Sequence, residues 1–410
     1  MKRVAITGLG VIAPIGVGRA QFTAGLLAGK PVIALLSHPW SREGAPRIAA
    51  QVIFTAADHF SPMRAAMLDR TTMLALVAAR QAAADAALKV PLTAPTEMGV
   101  YWGTGSAGAN TIEESYRTIL SSPTARLKPS TVVMAMHNAA AAEISLELGA
   151  EGPTFTYSTA CSSSAIAIGE AFRAIRGGYV NSAIAGGADS LLTLGVMKAW
   201  QSLQTLARED RDDPASSCRP FAKDRSGFVL GEGAGAVVLE DLECAVRRGA
   251  TIHAEMVGFG ATSDAKHITK PSVEGQARAM RQALAEAGLA PLDVGYVNAH
   301  GTATVIGDLV ETQAIKAVFG ATASLVPVSS TKAMHGHLMG ATGAVEFIAA
   351  LCALQARAIP PTANLRVPDP QCNLDYVANE ARRAPALSTV MSNSFAFGGN
   401  NAVLVARRFA

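Results

Sequence analysis

Five cysteines and eight histidines are spread through the chain, and one cysteine stands in a setting suited to covalent catalysis. Cys161 lies in Tyr157-Ser-Thr-Ala-Cys161-Ser-Ser-Ser. Thr154 to Ser158 reads as a strand and a helical pattern begins near Ser164, which puts Cys161 at a strand-to-helix turn. There the positive end of the helix and its free N–H groups favour thiolate, the nucleophilic form. Against this stands the plainer reading of a small buried residue among serines and alanines. Partners decide between the two. His300 closes the strand-like Val294 to Ala299, and His337 follows Ser329-Ser-Thr-Lys332-Ala-Met-His-Gly, so both histidines also follow strand patterns.

Two other signals compete. Gly8-Leu-Gly10-Val-Ile-Ala13 after the short strand Val4 to Thr7 fits a loose GxGxxA dinucleotide pattern, read as a glycine turn. The ribose-binding acid expected about 20 residues on is missing, since no Asp or Glu occurs between residue 4 and Glu43, and a nicotinamide enzyme is disfavoured. His335-Gly-His337 invites a metal, but the histidines of an isolated HxH are more often surface or hydrogen-bonded loop residues.

The elements that must position these residues are those of an α/β protein. Helical periodicity at Thr71 to Ala87, Ser164 to Arg176, Glu274 to Ala287 and Gly343 to Ala356 alternates with short apolar strands such as Ala183 to Ala185 and Val294 to Val297. Such strands belong in sheets covered by helices on both faces. At 410 residues the chain is long enough for two or three domains of about 150 residues. The strand-like Gly235 to Leu239 and helix-like Asp241 to Arg248 precede a break near residues 245 to 252, which divides the chain into 1–250 and 251–410. Arg208 to Pro214 is a charge-dense solvated loop.

Half the residues are hydrophobic and 16% are charged, which excludes a disordered or fibrous protein. With a net charge of +3 and no basic-aromatic array, nucleic acid is not an expected partner. Cys161, Cys218, Cys244, Cys352 and Cys372 form no CxxC pair, so neither a disulfide framework nor a cysteine zinc site is indicated. The glycines at 8, 10 and 16 and Pro14 argue against a signal peptide, and no uninterrupted apolar run of about 18 residues suggests a membrane span. A cytoplasmic protein is expected.

Read together, the motifs resemble the β-ketoacyl-acyl-carrier-protein synthases of the thiolase-fold superfamily, closest to the KAS I and II branch. The likeness runs from Thr7-Gly-Leu-Gly-Val-Ile through Thr159-Ala-Cys161, Arg219-Pro-Phe and Gly227-Phe-Val-Leu-Gly-Glu-Gly-Ala. It continues through His300-Gly-Thr-Ala-Thr304, Lys332-Ala-Met-His-Gly-His337, Gly343-Ala-Val-Glu346 and Ser394-Phe-Ala-Phe397-Gly-Gly-Asn-Asn401.

The resemblance implies two duplicated α/β halves in a five-layer αβαβα arrangement, an obligate dimer and an active site between the halves. It makes Cys161 the acyl-accepting nucleophile, with an oxyanion hole from the N–H groups of Cys161 and Phe397. His300 and His337 become hydrogen-bond donors to the malonyl thioester oxygen, Lys332 completes the catalytic set, and Glu346 and Asp308 support it. Thr302, Thr304 and Thr269 match pantetheine-binding positions, and Phe397 also matches a residue that gates the acyl pocket. Acyl carrier protein is the implied partner, docking through Arg64, Arg126, Lys128 and Arg208. No organic cofactor is expected. Asn298, Glu346, Ser392 and Asn393 resemble a structural Na⁺ or K⁺ site of some relatives, and Met134, Met136 and His137 fall where family pockets meet a dimer partner.

The chain departs from the pattern at Ala303, often Gly or Ser, and at Asn400, often Thr. Pro62-Met-Arg64-Ala-Ala-Met-Leu-Asp69 is poorer in basic residues than its counterpart in housekeeping enzymes, and Asp69 to Arg80 also looks like type II polyketide and aryl-polyene synthases. The expected function is decarboxylating condensation in fatty-acid elongation; the alternatives are a dedicated polyketide or aryl-polyene ketosynthase and a non-catalytic, chain-length-factor-like partner. A homodimer and a heterodimer both fit. A biosynthetic thiolase, which uses a second cysteine as base, is disfavoured by the two histidines and Lys332.

Overall fold

The computed structural model describes residues 1–36, 45–122 and 124–409. One order of elements occurs twice. The first set runs β1 (Val4–Ala13), α1 (Arg70–Asp85), β2 (Met98–Gly103), α2 (Ala139–Leu148), β3 (Thr154–Tyr157), α3 (Ser163–Arg176), β4 (Ser182–Ser190) and β5 (Glu232–Asp241). The second runs β6 (Ala254–Ser263), α4 (Val273–Ala287), β7 (Tyr296–Asn298), α5 (Val305–Phe319), β8 (Val328–Ser329), α6 (Thr342–Ala356), β9 (Thr389–Phe395) and β10 (Asn400–Arg407). The four helices read from periodicity lie within two residues of these bounds.

Strand pairing repeats as well. β2 is parallel to β3 and β4, β4 antiparallel to β5, and β5 antiparallel to β1. β7 is likewise parallel to β8 and β9, β9 antiparallel to β10, and β10 antiparallel to β6. The strand order is β8-β7-β9-β10-β6-β1-β5-β4-β2-β3, so the two sets meet at β6 and β1. Three residue pairs make that seam: Val4 with Met256, Ala5 with Glu255 and Ile6 with Ala254. α1 and α2 pack on one face of the first set, α4 and α5 on one face of the second, and α3 and α6 lie between, which gives the five layers.

Gly8 and Gly10 are not in a turn; they lie inside β1, which continues to Ala13. A Cβ on Gly10 would stand 1.9 Å from the carbonyl oxygen of Ala78, and one on Gly260 the same 1.9 Å from that of Ala279. The glycines let α1 and α4 ride directly on their strands, through Ala78 and Ala82 in one case and Ala279 and Ala283 in the other. The dinucleotide-like spacing is therefore a helix-packing device. Beside it the main chain leaves ladder register, and the N–H of Leu9 donates to Asp85 (2.9 Å) as that of Phe259 donates to Glu286 (3.0 Å).

α6 is buried along nearly all its length, and Met339–Ala356 is long and apolar enough to cross a membrane by length and composition. Here 89% of it is buried inside the protein, between β5 on one side and β9 on the other. The outer edges of the sheet differ. β3 leaves Thr154 and Phe155 exposed, whereas Val328 of β8 donates to Asp375 (2.8 Å) and bridges to Tyr376.

Candidate active site

Cys161 sits where β3 turns into α3, as its surroundings predict. The turn is tight because its residues are small: Ser163 Oγ accepts the Thr159 N–H (2.9 Å) and donates to the Ala160 carbonyl (2.6 Å). Ala160 takes φ +52°, a left-handed conformation that costs a non-glycine residue about 1 kcal/mol. The expected thiolate is corrected. Burial pushes the Cys161 thiol up to about 12, with the charge of Asp189 adding to it, against the opposing pull of Lys332 and of the N–H groups of Phe397 and Cys161. A helix N-terminus and one cation do not offset the loss of water around a fully buried sulfur.

The histidines arrive from the second set. His300 follows β7; its N–H and that of Gly301 are clasped by the two carboxylate oxygens of Glu311 (2.8 and 2.7 Å). Lys332, fully buried, approaches His300 Nδ1 (3.3 Å), donates to the His300 carbonyl and pairs with Glu346 Oε1 (2.6 Å). His337 Nδ1 faces the Met339 N–H and the Thr342 hydroxyl, each at 3.0 Å. In both rings Nδ1 therefore meets a donor, which assigns the proton to Nε2. Burial, and then the charge of Lys332, holds both imidazoles well below the ordinary histidine range, so both are neutral Nε2–H donors. Glu346 is raised to about 7 by burial while Lys332 pulls it down.

These groups converge. Ligating atoms of Cys161, His300 and His337 all lie within 4.8 Å of one another, on a cavity of about 390 Å³. Thr302, Thr304, Thr269 and Phe397 line the same cavity. The hydroxyls of Thr302 and Thr304 are 2.9 Å apart, and Thr304 also caps α5 through the Gly307 N–H (3.2 Å). Both ring nitrogens of His335 are taken within its own loop, by the Gly336 carbonyl (2.8 Å) and the Thr331 hydroxyl (2.9 Å), so the His335-Gly-His337 pair is not a joint ligand.

Residues 1–245 match the Beta-ketoacyl synthase, N-terminal domain family and residues 253–366 the Beta-ketoacyl synthase, C-terminal domain family. The chain is 40% identical over 411 residues to 3-oxoacyl-[acyl-carrier-protein] synthase 2 of Staphylococcus aureus (strain COL), covering 100% of this chain and 99% of that protein. A crystal structure of a Beta-ketoacyl synthase from Burkholderia phymatum STM815 superposes with a TM-score of 0.93 at 37% identity, both chains covered in full. A type II PKS ketosynthase, solved with its acyl-carrier protein and bound to a hexaketide, gives 0.91 at 31%, again with 100% of each chain covered. The chain belongs to the beta-ketoacyl synthase family.

Within this family member, Asp308 holds the Thr302–Thr304 loop: its oxygens accept the N–H groups of Ala303 (3.0 Å) and Phe221 (2.7 Å), with Arg225 at 3.7 Å. Ala303 takes φ +64°, which explains why a glycine suits that position. Of the four basic residues read as docking groups, none lines the Cys161 cavity. Arg126 and Lys128 border a separate cavity of about 470 Å³ and Arg208 a third, while Arg64 pairs with Glu143.

Several residues at the site escaped the sequence. Glu311 gives no local signal beyond lying on α5, one turn after Asp308. Trp200 packs against both Phe228 (ring centroids 5.3 Å apart) and Phe397 (5.8 Å), and Lys270 and His267 stand on the cavity wall. An aromatic in a helical run and a lysine beside a proline look like core and surface respectively until the fold brings them to one cavity.

Proposed function

We propose that the protein condenses an acyl thioester with malonyl-acyl carrier protein, releasing CO₂ and giving 3-oxoacyl-carrier. The observation that carries this reading is the meeting of one thiol and two neutral Nε2–H imidazoles within 4.8 Å. In the first half-reaction the Cys161 sulfur attacks the acyl carbonyl and the carrier's sulfur departs, its thiol taking the proton that Cys161 gives up. The N–H groups of Cys161 and Phe397, which reach the sulfur, stabilise the oxyanion formed beside it. In the second, the malonyl C–C bond breaks, its electron pair moves toward the thioester oxygen between His300 and His337, and CO₂ leaves. The resulting carbanion attacks the acyl carbonyl and Cys161 leaves as thiolate, which takes a proton from solvent to restore the thiol. Lys332, anchored by Glu346, fixes His300 as a donor.

Thr302, Thr304 and Thr269 receive the pantetheine arm, Phe397 gates the acyl pocket, and Arg64, Arg126, Lys128 and Arg208 meet the acidic carrier. Residues 1–250 and 251–410 act as the two duplicated halves. The protein works as a dimer in the cytoplasm, with the described cysteines reduced. The exposed edge of β3 and the apolar surface of Val132, Val133 and Met136 support that assembly, with Met134 and His137 beside it. Asn298 Oδ1, Glu346 Oε2, Ser392 Oγ and Asn393 Oδ1 are buried oxygens without a hydrogen-bond partner, a donor set suited to Na⁺ or K⁺. A bound ion would neutralise charge next to the Lys332–Glu346 pair.

A dedicated polyketide or aryl-polyene ketosynthase is the second reading, supported by the likeness to the hexaketide-bound ketosynthase and by the few basic residues near Arg64. Retention of Cys161, His300, His337 and Lys332 argues against a non-catalytic partner. The test is intact-protein mass spectrometry of wild type and Cys161→Ala offered saturated, polyene and aryl acyl-carriers, then malonyl-carrier. Adducts that require Cys161 and vanish on malonyl addition, leaving 3-oxoacyl-carrier, are expected, and the preferred donor selects the pathway. No adduct from any donor would favour the non-catalytic reading.

A further inference from the structure

The turn that carries His337 is fastened by a carboxylate from the other element set. Asp189, near the end of β4, is completely buried. Its Oδ1 accepts the Thr104 hydroxyl (2.8 Å) and the Ser106 N–H (3.3 Å). Its Oδ2 accepts the N–H of Gly105 (2.8 Å) and, across the interface between the two sets, that of Gly340 (2.5 Å). The fit leaves no space: a Cβ would lie 2.9 Å from Asp189 Oδ2 if placed on Gly105 and 2.6 Å if placed on Gly340.

Gly340 follows Met339, and the Met339 N–H is one of the two donors that face His337 Nδ1. Met339 holds that place at φ +50°, a conformation a methionine keeps only when its surroundings over-determine it. The Gly340 N–H bond to Asp189 is the next peptide along and supplies the restraint. Four donors converge on the carboxylate, and two anionic oxygens accept all of them; an amide in its place would turn an NH₂ toward N–H groups.

We infer that Asp189 is a positioning residue for decarboxylation: by holding the Met339–Gly340 turn it fixes His337 as the Nε2–H tautomer facing the malonyl thioester oxygen. This rests on the condensing-enzyme reading above. Asp189 makes no hydrogen bond to Phe397, whose N–H belongs to the first half-reaction, and its charge pushes the Cys161 thiol up, so its removal does not slow acylation and the two half-reactions separate the idea from a general structural role.

The experiment compares Asp189→Asn with wild type in both half-reactions on the full-length protein, and reads the His337 tautomer from ring ¹⁵N shifts of histidine-labelled protein. Expected are a fall of at least 30-fold in malonyl-carrier decarboxylation, no fall beyond 3-fold in Cys161 acylation, and loss of the pure Nε2–H signature. Equal falls in both half-reactions, or an unchanged tautomer, would overturn the inference. Should Asp189→Asn not fold, Thr104→Val removes one donor and keeps the carboxylate; decarboxylation then falls 3- to 10-fold with acylation unchanged, and equal rates in the two proteins overturn the idea. A wild type that decarboxylates nothing sinks the parent reading instead.

Discussion

After edge strand β3 the chain reaches Cys161 and enters α3; after edge strand β8 it reaches Lys332, His335 and His337 and enters α6. The two passages occupy equivalent places in the repeat, between equivalent strands and equivalent interior helices. One carries a nucleophile on a turn of small residues, the other a cation and hydrogen-bond donors on a longer, wholly buried turn. The comparison teaches that repetition supplies the scaffold and, on the proposed condensing mechanism, the loops divide the chemistry: covalent capture in the first set, stabilisation of negative charge in the second. The edges diverge in the same way, open at β3 and covered by the 375–376 segment at β8.

The sharpest way to break that division is to remove each side separately. Cys161→Ala should abolish acyl adducts and lower condensation by about 10⁴-fold or more while malonyl decarboxylation persists, since no other group supplies the sulfur. His337→Ala should do the reverse, lowering decarboxylation about 10²- to 10³-fold, as expected for a lost oxyanion donor, with acylation changed only a few-fold. Quench-flow mass spectrometry measures both. If each substitution slows both steps alike, the chemistry is not divided between the sets.

Next in size is Lys332→Met, which strands Glu346 as a buried, unpaired acid and should cost about 3–5 kcal/mol in a denaturant titration. Gly10→Ala and Gly260→Ala compare the two sets directly. Each forces a methyl group into a helix backbone 1.9 Å away, and each should cost about 1–3 kcal/mol or more. Unequal losses would show that one helix has room to shift and that the repeat is looser than its register.

Much of this was legible beforehand for a physical reason. The helices of the repeat are buried along apolar faces or throughout, so periodicity found α1, α3, α4 and α6 nearly to the residue. Gly8 and Gly10 read as a turn because a glycine that admits a helix against a strand and one that opens a turn have the same side chain, and only the fold shows which neighbour arrives. The state of Cys161 was misjudged because helix polarity can be read from local sequence while desolvation depends on every layer packed around the sulfur. Asp189 and Glu311 were illegible for a related cause, since each binds main-chain N–H groups, which carry no residue identity.

Smaller effects probe the edges and the protonation states. Phe155→Asp places a charge on the exposed edge of β3 and should shift a light-scattering mass toward a single chain, while Leu325→Asp, exposed just before the covered β8, should leave it unchanged. Finally, neither imidazole should contribute to the pH dependence of decarboxylation between about 6 and 8, and a step near 7 should come from Glu346, which burial raises to about 7, and be lost in Glu346→Gln. His300 and His337 are held below the ordinary histidine value of 6.5 by burial and Lys332, so both remain neutral throughout that window and gain protons only at lower pH. An acid limb centred on 6.5 that persists in Glu346→Gln would mean that at least one ring is solvated.

The place of α6 sets a problem of timing for a chain made from its N-terminus. This most apolar helix is complete at Ala356, yet one of its two walls, β9, begins only at Thr389. At about 5–20 residues per second, a ribosome needs several more seconds to supply that wall. During the interval the nascent protein displays a segment that meets the length and composition of a membrane span. Glu346, indispensable later to Lys332, meanwhile serves as a charge that weakens any detour of the unfinished chain into a bilayer.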